Sequence, residues 1–368
     1  MTTNTPYRAI FCDLREDTTI DILPLRDVTV DDYIGKPGSL SGTVPVPDAA
    51  MAARVRRIEE GRTAVYLQRG NDLWWGGIVW TSTLQSDDRG VLTLGIQAAT
   101  FESYAARRRI RANLYYKDQD PLAVARALWI NLQKMLPGSD IGVTTGDETV
   151  GGVLRSGNWR NGDETIYLEA IDALAAVDPV FEHHIAVYRD PSTGQRVRRL
   201  RLGSPKINTG STDLVMDRPG NILAYSFPRD ATRGGTTARA RGATDNSNQA
   251  AESRPLFADA PEATELINAG YPRIDLSSDH NEVSDTATLL ALAKAELAEA
   301  TGAVVVPEIT VRLDDLVPPA LLGRTVRIRI TDEWFTEGLN NRYRIIGVKV
   351  SPAQRGRPDT AELYLEEV

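Results

Sequence analysis

The chain has one cysteine, Cys12, in 368 residues, so an internal disulfide is excluded. That usage fits a protein made in a reducing cytoplasm. Histidine is also scarce, limited to His183, His184 and His280. The adjacent pair would point to opposite faces of an extended segment, so by themselves the two cannot converge on one metal. No H-E-x-x-H or C-x-x-C spacing occurs, and His183 and His184 read as ordinary residues at a strand start. Long apolar runs are missing too: the longest candidate, Thr288 to Val306, carries Lys294, Glu296 and Glu299, so no membrane span is expected. The start MTTNTPYRAIFCDLRED has no basic segment followed by an apolar core, and no signal peptide is expected. No phosphate-binding glycine loop is present. Gly38-Ser39-Leu40-Ser41-Gly42 places Leu40 where a nucleophile elbow needs serine, and Cys12 has no histidine near it in sequence. We therefore expect no cofactor, no metal and no catalytic residue. A glycosidase needs only two carboxylates ~5–9.5 Å apart, a pairing that sequence does not reveal. Gly146-Asp147-Glu148-Thr149 and Gly162-Asp163-Glu164-Thr165 are better read as turn and cap signals.

The composition, 42% hydrophobic and 25% charged, is that of an ordinary folded protein. A net charge of −8 argues against gripping nucleic acid by its phosphates. The local exception, Arg107-Arg108-Arg109-Ile110-Arg111, reads as a solvated or acid-paired surface segment.

A pattern occurs twice. Near the N-terminus Gly61-Arg62-Thr63 leads into an apolar strand through Val65 and Leu67, then Asp72-Leu73-Trp74-Trp75. Near the C-terminus Gly323-Arg324-Thr325 leads into Val326, Ile328 and Ile330, then Asp332-Glu333-Trp334-Phe335. Each aromatic pair is followed by a strand opening on glycine (Gly77-Ile78-Val79-Trp80; Gly347-Val348-Lys349-Val350), a polar turn and a last alternating strand. If each pair is extended, neighbouring rings point to opposite faces, one into a core and one outward. Exposed aromatics suit interfaces, so Trp74, Trp75, Trp334 and Phe335 are the candidate assembly residues. Replacing Trp75 or Phe335 by aspartate is expected to block assembly and leave the subunit folded.

The expected fold is β-rich α+β, two similar β-barrel modules separated by a mixed α/β insert. The boundaries are 1–105 for the first barrel, 106–205 for the insert, 206–244 for the start of the second barrel, 245–302 for a polar loop and helix, and 303–368 for the rest of the second barrel. The Gly/Pro-rich stretch from Gly35 to Pro45 reads as loop or extended edge. Residues 49–60 suggest a short amphipathic helix. Asp120-Pro121 starts a helix that Pro137-Gly138 stops, and a second runs from about Thr165 to Val177. A hairpin pairs Ile185–Tyr188 with Val197–Leu202 across Asp190-Pro191-Ser192-Thr193-Gly194. Ser204 to Asn221 is loop-like; Ile222 to Phe227 and Thr236 to Arg241 read as strands. Gly242 to Glu262 reads as an exposed polar loop. A third helix over Asp285–Ala300 would be capped by Ser284 and closed by Gly302.

The order of these stretches resembles the tail hub (baseplate hub, minor tail) proteins of tailed bacteriophages, most of all those of siphophages of actinobacteria. The stretches that carry it are Gly38 to Pro45, Trp75-Gly76-Gly77-Ile78-Val79, Thr100-Phe101-Glu102-Ser103-Tyr104, Leu322 to Ile328, Tyr343 to Val350, and Ala361 to Leu365. The resemblance implies a structural virion protein of the tail tip, assembled in the host cytoplasm, with no enzymatic activity. It implies a homotrimer whose six barrels match a hexameric tail-tube or distal-tail ring. Expected partners are that ring, the tail-tip or central fibre protein and the tape measure protein, with DNA only in transit and no membrane insertion. Relatives with an appended hydrolase need more chain than follows the second module here. Alternatives are a hexameric distal tail protein with one barrel per chain, a virion-associated cell-wall hydrolase, and a monomeric carbohydrate- or protein-binding module.

Overall fold

The computed structural model describes residues 7–244, 254–281, 283–300, 304–305, 307–314, 316–353 and 358–368. Its first third is almost wholly β: β1 (Tyr7–Asp13), β2 (Thr19–Leu23), β3 (Arg26–Tyr33), β4 (Ser39–Val46), β5 (Thr63–Arg69), β6 (Asp72–Ser86) and β7 (Leu92–Thr100). The short helix α1 (Ala49–Val55) links β4 to β5, its first turn capped by Asp48, whose carboxylate accepts the Met51 N–H. The strands run antiparallel in the order β3-β4-β7-β6-β5-β1-β2.

The stretch expected to be loop or edge forms β4, an interior strand paired to β3 on one side and β7 on the other. Its glycine and proline content serves close packing. A Cβ on Gly38 would lie 2.1 Å from the Asp31 carbonyl oxygen. Pro45 sits past Thr43, the last β4 residue paired to β3.

The insert opens with α2 (Glu102–Ala105) and β8 (Leu114–Gln119), followed by α3 (Pro121–Lys134), whose cap Asp120 accepts from the N–H groups of Leu122 and Ala123. Then come β9 (Val143–Thr145), β10 (Arg155–Trp159), α4 (Tyr167–Ala175) and the hairpin β11 (Glu182–Arg189) and β12 (Arg196–Gly203). The helices pack on the back of the first sheet: Leu128, Trp129, Leu132, Tyr167 and Ile171 share one core with Ile10, Tyr66 and Ile78.

After the insert, β13 (Leu214–Arg218) lies in a region expected to be loop, and β14 (Ile222–Ser226) follows. Residues Ser226–Pro307 form a compact unit of their own, distinct from the unit made of Met1–Tyr225 and Glu308–Val368. In it, β15 (Arg229–Asp230) pairs with β19 (Val304–Val305), and β16 (Thr237–Thr244) lies between β17 (Pro255–Asp259) and β18 (Asp275–Asp279). Helix α5 (Thr264–Asn268) is short; α6 (Thr286–Ala300) packs on the sheet through Leu289, Ala293 and Leu297 against Ala238, Ala240 and Ala258. Asp285, not Ser284, caps α6, accepting the N–H of Thr288. Within the polar stretch Pro255–Asp259 is a strand. Its residues 245–253, and the closing Gly302, lie outside the described residues.

The chain then returns to the first unit as β20 (Glu308–Arg312), β21 (Thr325–Ile330), β22 (Leu339–Ser351) and β23 (Thr360–Glu367). Here the order is β14-β20-β23-β22-β21-β13, matching β3-β4-β7-β6-β5-β1 strand for strand in both position and chain order. The long strands share a bulge: register shifts between Val79 and Thr81 in β6 and between Ile345 and Gly347 in β22. Before it, the Gly61 N–H donates to Val79 O (2.7 Å) and the Gly323 N–H to Ile345 O (2.8 Å). Both glycines are left-handed, at φ +75° and +78°. One difference is sense, since β1 is antiparallel to β5 whereas β13 is parallel to β21.

The two halves are joined directly, Gly347–Val350 of β22 pairing with Val30–Tyr33 of β3. The expected pair of closed barrels is thus replaced, among the described residues, by one open 13-stranded sheet. One strand edge from each half, that of β3 and that of β22, is used to join them.

Candidate functional site

Among the described residues, no group of three or more His, Cys, Asp or Glu side chains is placed to hold a metal. His183 and His184 lie on β11 and are both buried, reaching different carboxylates: Asp172 at 2.7 Å and Asp32 at 3.1 Å. Burial alone would lower the His184 pKa, but the Asp32 charge and hydrogen bond, with Glu102 nearby, raise it. Glu102 is enclosed by protein and accepts the Ile185 N–H. Burial raises its pKa, opposed by His184. A hydrolase would need a raised carboxyl facing a cleft, and Glu102 is 2% exposed. A cleft of about 510 Å³ is lined by Asp72, Glu148, Arg189, Arg199 and Arg201 among others. Its Glu148 lies 3.5 Å from Arg126 and 3.8 Å from Arg199.

The buried charges act as fasteners. Arg198, 4% exposed, donates to Tyr66 Oη (2.6 Å), Leu14 O (2.7 Å) and Asp17 Oδ1 (2.7 Å), tying β12 to the first sheet. Arg344 of β22, 2% exposed, pairs with Glu182 of β11 and Glu366 of β23 and donates to Ile207 O at 2.6 Å. One arginine at each end thus pins the insert to both halves of the sheet. The arginine run is likewise engaged within the chain: Arg109 and Arg111 meet Glu164, Arg108 donates to Ser139 Oγ, and Arg107 covers the Trp80 ring at 4.2 Å.

The four aromatic candidates separate into two environments. Trp74 and Trp75 are in β6, but strand alternation leaves neither outside: they are 5% and 2% exposed. Trp74 packs edge-on to Tyr7 with ring centroids 5.2 Å apart, beside the Arg69 guanidinium. The Trp75 Nε1–H donates to Asp31 O at 2.8 Å. Both line a small gap with Val30, Pro318, Pro319, Val348 and Val350, directly behind the β3–β22 joint. They hold the halves of the chain together.

Trp334 and Phe335 are not in a strand. They lie on the 331–338 connection before β22, so they do not correspond structurally to Trp74 and Trp75. Asp332 Oδ1 accepts both their N–H groups at 3.0 Å, and its Oδ2 accepts the Tyr225 hydroxyl at 2.6 Å. These bonds, that of Tyr225 first, hold the Asp332 carboxyl below its ordinary pKa. Phe335 lies 5.8 Å from the Tyr225 ring, so the loop is anchored on β14, while Trp334 is 78% exposed. Leu223 of β14 is also exposed, as is Leu84 near the end of β6. Sequence reasoning missed these two leucines because each sits in a strand whose alternation looks ordinary. Only the pairing of strands reveals which edge is open.

The sequence matches no protein-family model and no curated protein. The structure does match solved ones. It is similar to the 43 kDa tail protein of prophage MuSo2 from Shewanella oneidensis (13% identity, TM-score 0.62, 98% of each chain covered). It is similar to the tail protein from Neisseria meningitidis MC58 (14%, 0.60, 98% of this chain and 96% of that one). It is also similar to prophage tail protein gp18 from Listeria monocytogenes EGD-e (14%, 0.53, 97% and 94%). At this identity the likeness is one of fold, and it extends over nearly the full length of each chain.

Proposed function

We propose that this protein is a structural component of a phage tail, a trimeric tail-tip hub in which each chain contributes two equivalent ring modules. The observation that carries the reading is the repeated strand order with its shared bulge and glycine turn. A chain with two copies of one module turns three-fold symmetry into pseudo-six-fold symmetry, which a three-fold tail tip needs to meet a hexameric tube or distal-tail ring. The full-length likeness to prophage tail proteins supports it, as does a molecule whose buried charges are fasteners. The modules are β1–β7 and β13, β14, β20–β23. The insert braces them, and the unit Ser226–Pro307 is carried between β14 and β20. A distal tail protein would need only one module per chain, so the second copy favours the hub.

DNA would pass through the ring without being held. The net charge of −8 repels phosphates, and a lumen lined mainly by Arg and Lys would contradict this part of the reading. The function as a whole is tested by the stoichiometry of the assembled particle, three chains being expected.

A further inference from the structure

The joint inside the chain has a counterpart that the chain does not complete. One edge of β22 is shared: Leu339–Arg344 pair with β21, and beyond the bulge Gly347–Val350 pair with β3. The matching edge of β6 pairs with β5 over Asp72–Ile78. Beyond the bulge, Thr81–Ser86 pair only with β7 among the described residues. Strand β14, which occupies the place of β3, ends the sheet, with β20 its one strand neighbour among the described residues. Each half therefore has the parts of the β3–β22 joint, but only one joint is made. Leu84 is 66% exposed and Leu223 44%, and an exposed strand edge is a template for another strand.

We propose that these two edges are one interface: β14 of one protomer adds antiparallel to the Thr81–Ser86 segment of β6 in a second copy, repeating the internal joint between chains. The inference rests on the ring reading and names its contact. In the internal joint Val30 faces Val350 and Tyr33 faces Gly347, so the last four residues of β3 run antiparallel to the β22 segment beyond its bulge. At this end of the fold Arg218, the last residue of β13, donates to Leu223 O of β14 at 3.0 Å and lies over the Tyr225 ring, a bond that an added strand would have to replace at that position. The Asp332–Tyr225 hydrogen bond carries the exposed Trp334 loop to the same surface. Each chain presents one donating strand and one receiving edge, so the contact is head-to-tail rather than two-fold, and on the ring reading it closes after three copies.

The experiment is cross-linking of the full chain carrying Leu84→Cys and Ala224→Cys, with a short bismaleimide and a denaturing gel, alongside light scattering of the same sample. Both positions are exposed, and the native Cys12 is buried, so it contributes little background. The double variant is expected to give linked species of two and three chains, three being the limit, while each single variant stays unlinked. A second pair, Thr83→Cys with Leu223→Cys, repeats the test if the first does not fold. A three-chain mass without linkage in a folded pair overturns this contact and leaves the ring standing. Linkage through either single variant means that like edges meet, which also overturns it. A single-chain mass at every concentration removes ring and contact together.

Discussion

At the scale of residues, exposure separates aromatics that the sequence presents alike. Trp75 is packed on all sides and its indole N–H is satisfied by Asp31, so Trp75→Ala should cost about 3–5 kcal/mol of stability in a denaturant melt. The expectation that an aspartate there would spare the fold is therefore withdrawn: it would bury an unpaired charge beside the joint. Trp334→Ala should leave the melt within about 0.5 kcal/mol of wild type and weaken association. A large loss of stability in that variant, or unchanged association, would contradict the assignment. The buried histidine gives a pH signature. The folded pKa of His184 lies above its unfolded value, so its contribution is fully present below about pH 6.5 and is lost as pH rises through the folded value. Glu102, also raised, acts in the same direction. Thermal melts between about pH 6 and 9 should show a falling Tm. The slope should be reduced in His184→Gln, and a variant with the full slope would place its source elsewhere. None of these partners was legible in the sequence, because Asp32 and His184 are 152 positions apart.

At the scale of elements, local chemistry was readable where it decided the structure. Asp120-Pro121 starts α3 as the cap and first-position rule requires, and the hairpin turns on Asp190, whose carboxylate accepts the N–H groups of Ser192 and Thr193. Those bonds, with the Ser192 hydroxyl first, hold its pKa at about 2. Strands β13, β17 and β18 were missed because they are short, and β17 and β18 lie in polar sequence; their strand state comes from partners distant in the chain. Gly347 illustrates the same limit. It reads as a strand opening, yet a Cβ there would sit 2.4 Å from the Tyr33 ring, which packs against Tyr364 with centroids 5.5 Å apart. Gly347→Val should therefore open the β3–β22 joint. Amide exchange should rise in Val30–Tyr33 and Gly347–Val350 more than in β5 or β7. Uniform exchange across all four strands would show that the joint is not a separable contact.

At the scale of the molecule, the sequence carried the repeat but not its closure. Gly61 and Gly323, which open the two similar stretches of sequence, are both left-handed and each donates its N–H to a residue at the bulge of a long strand, a place with few substitutes for glycine. The aromatic pairs were matched on composition alone, and one pair proved to be a loop. Two barrels were expected because each half looks self-sufficient as a string of strands. Whether an edge pairs with its own half or with the other is settled by long-range register, which alternation does not encode. The open edges left by that choice are the reason a single chain is an incomplete object in this account. The most direct test is the mass of the purified chain by light scattering across a concentration series. The account predicts a species of three 40.3-kDa chains that grows with concentration and does not exceed three. A closed six-chain particle, or a single chain at every concentration, would contradict it.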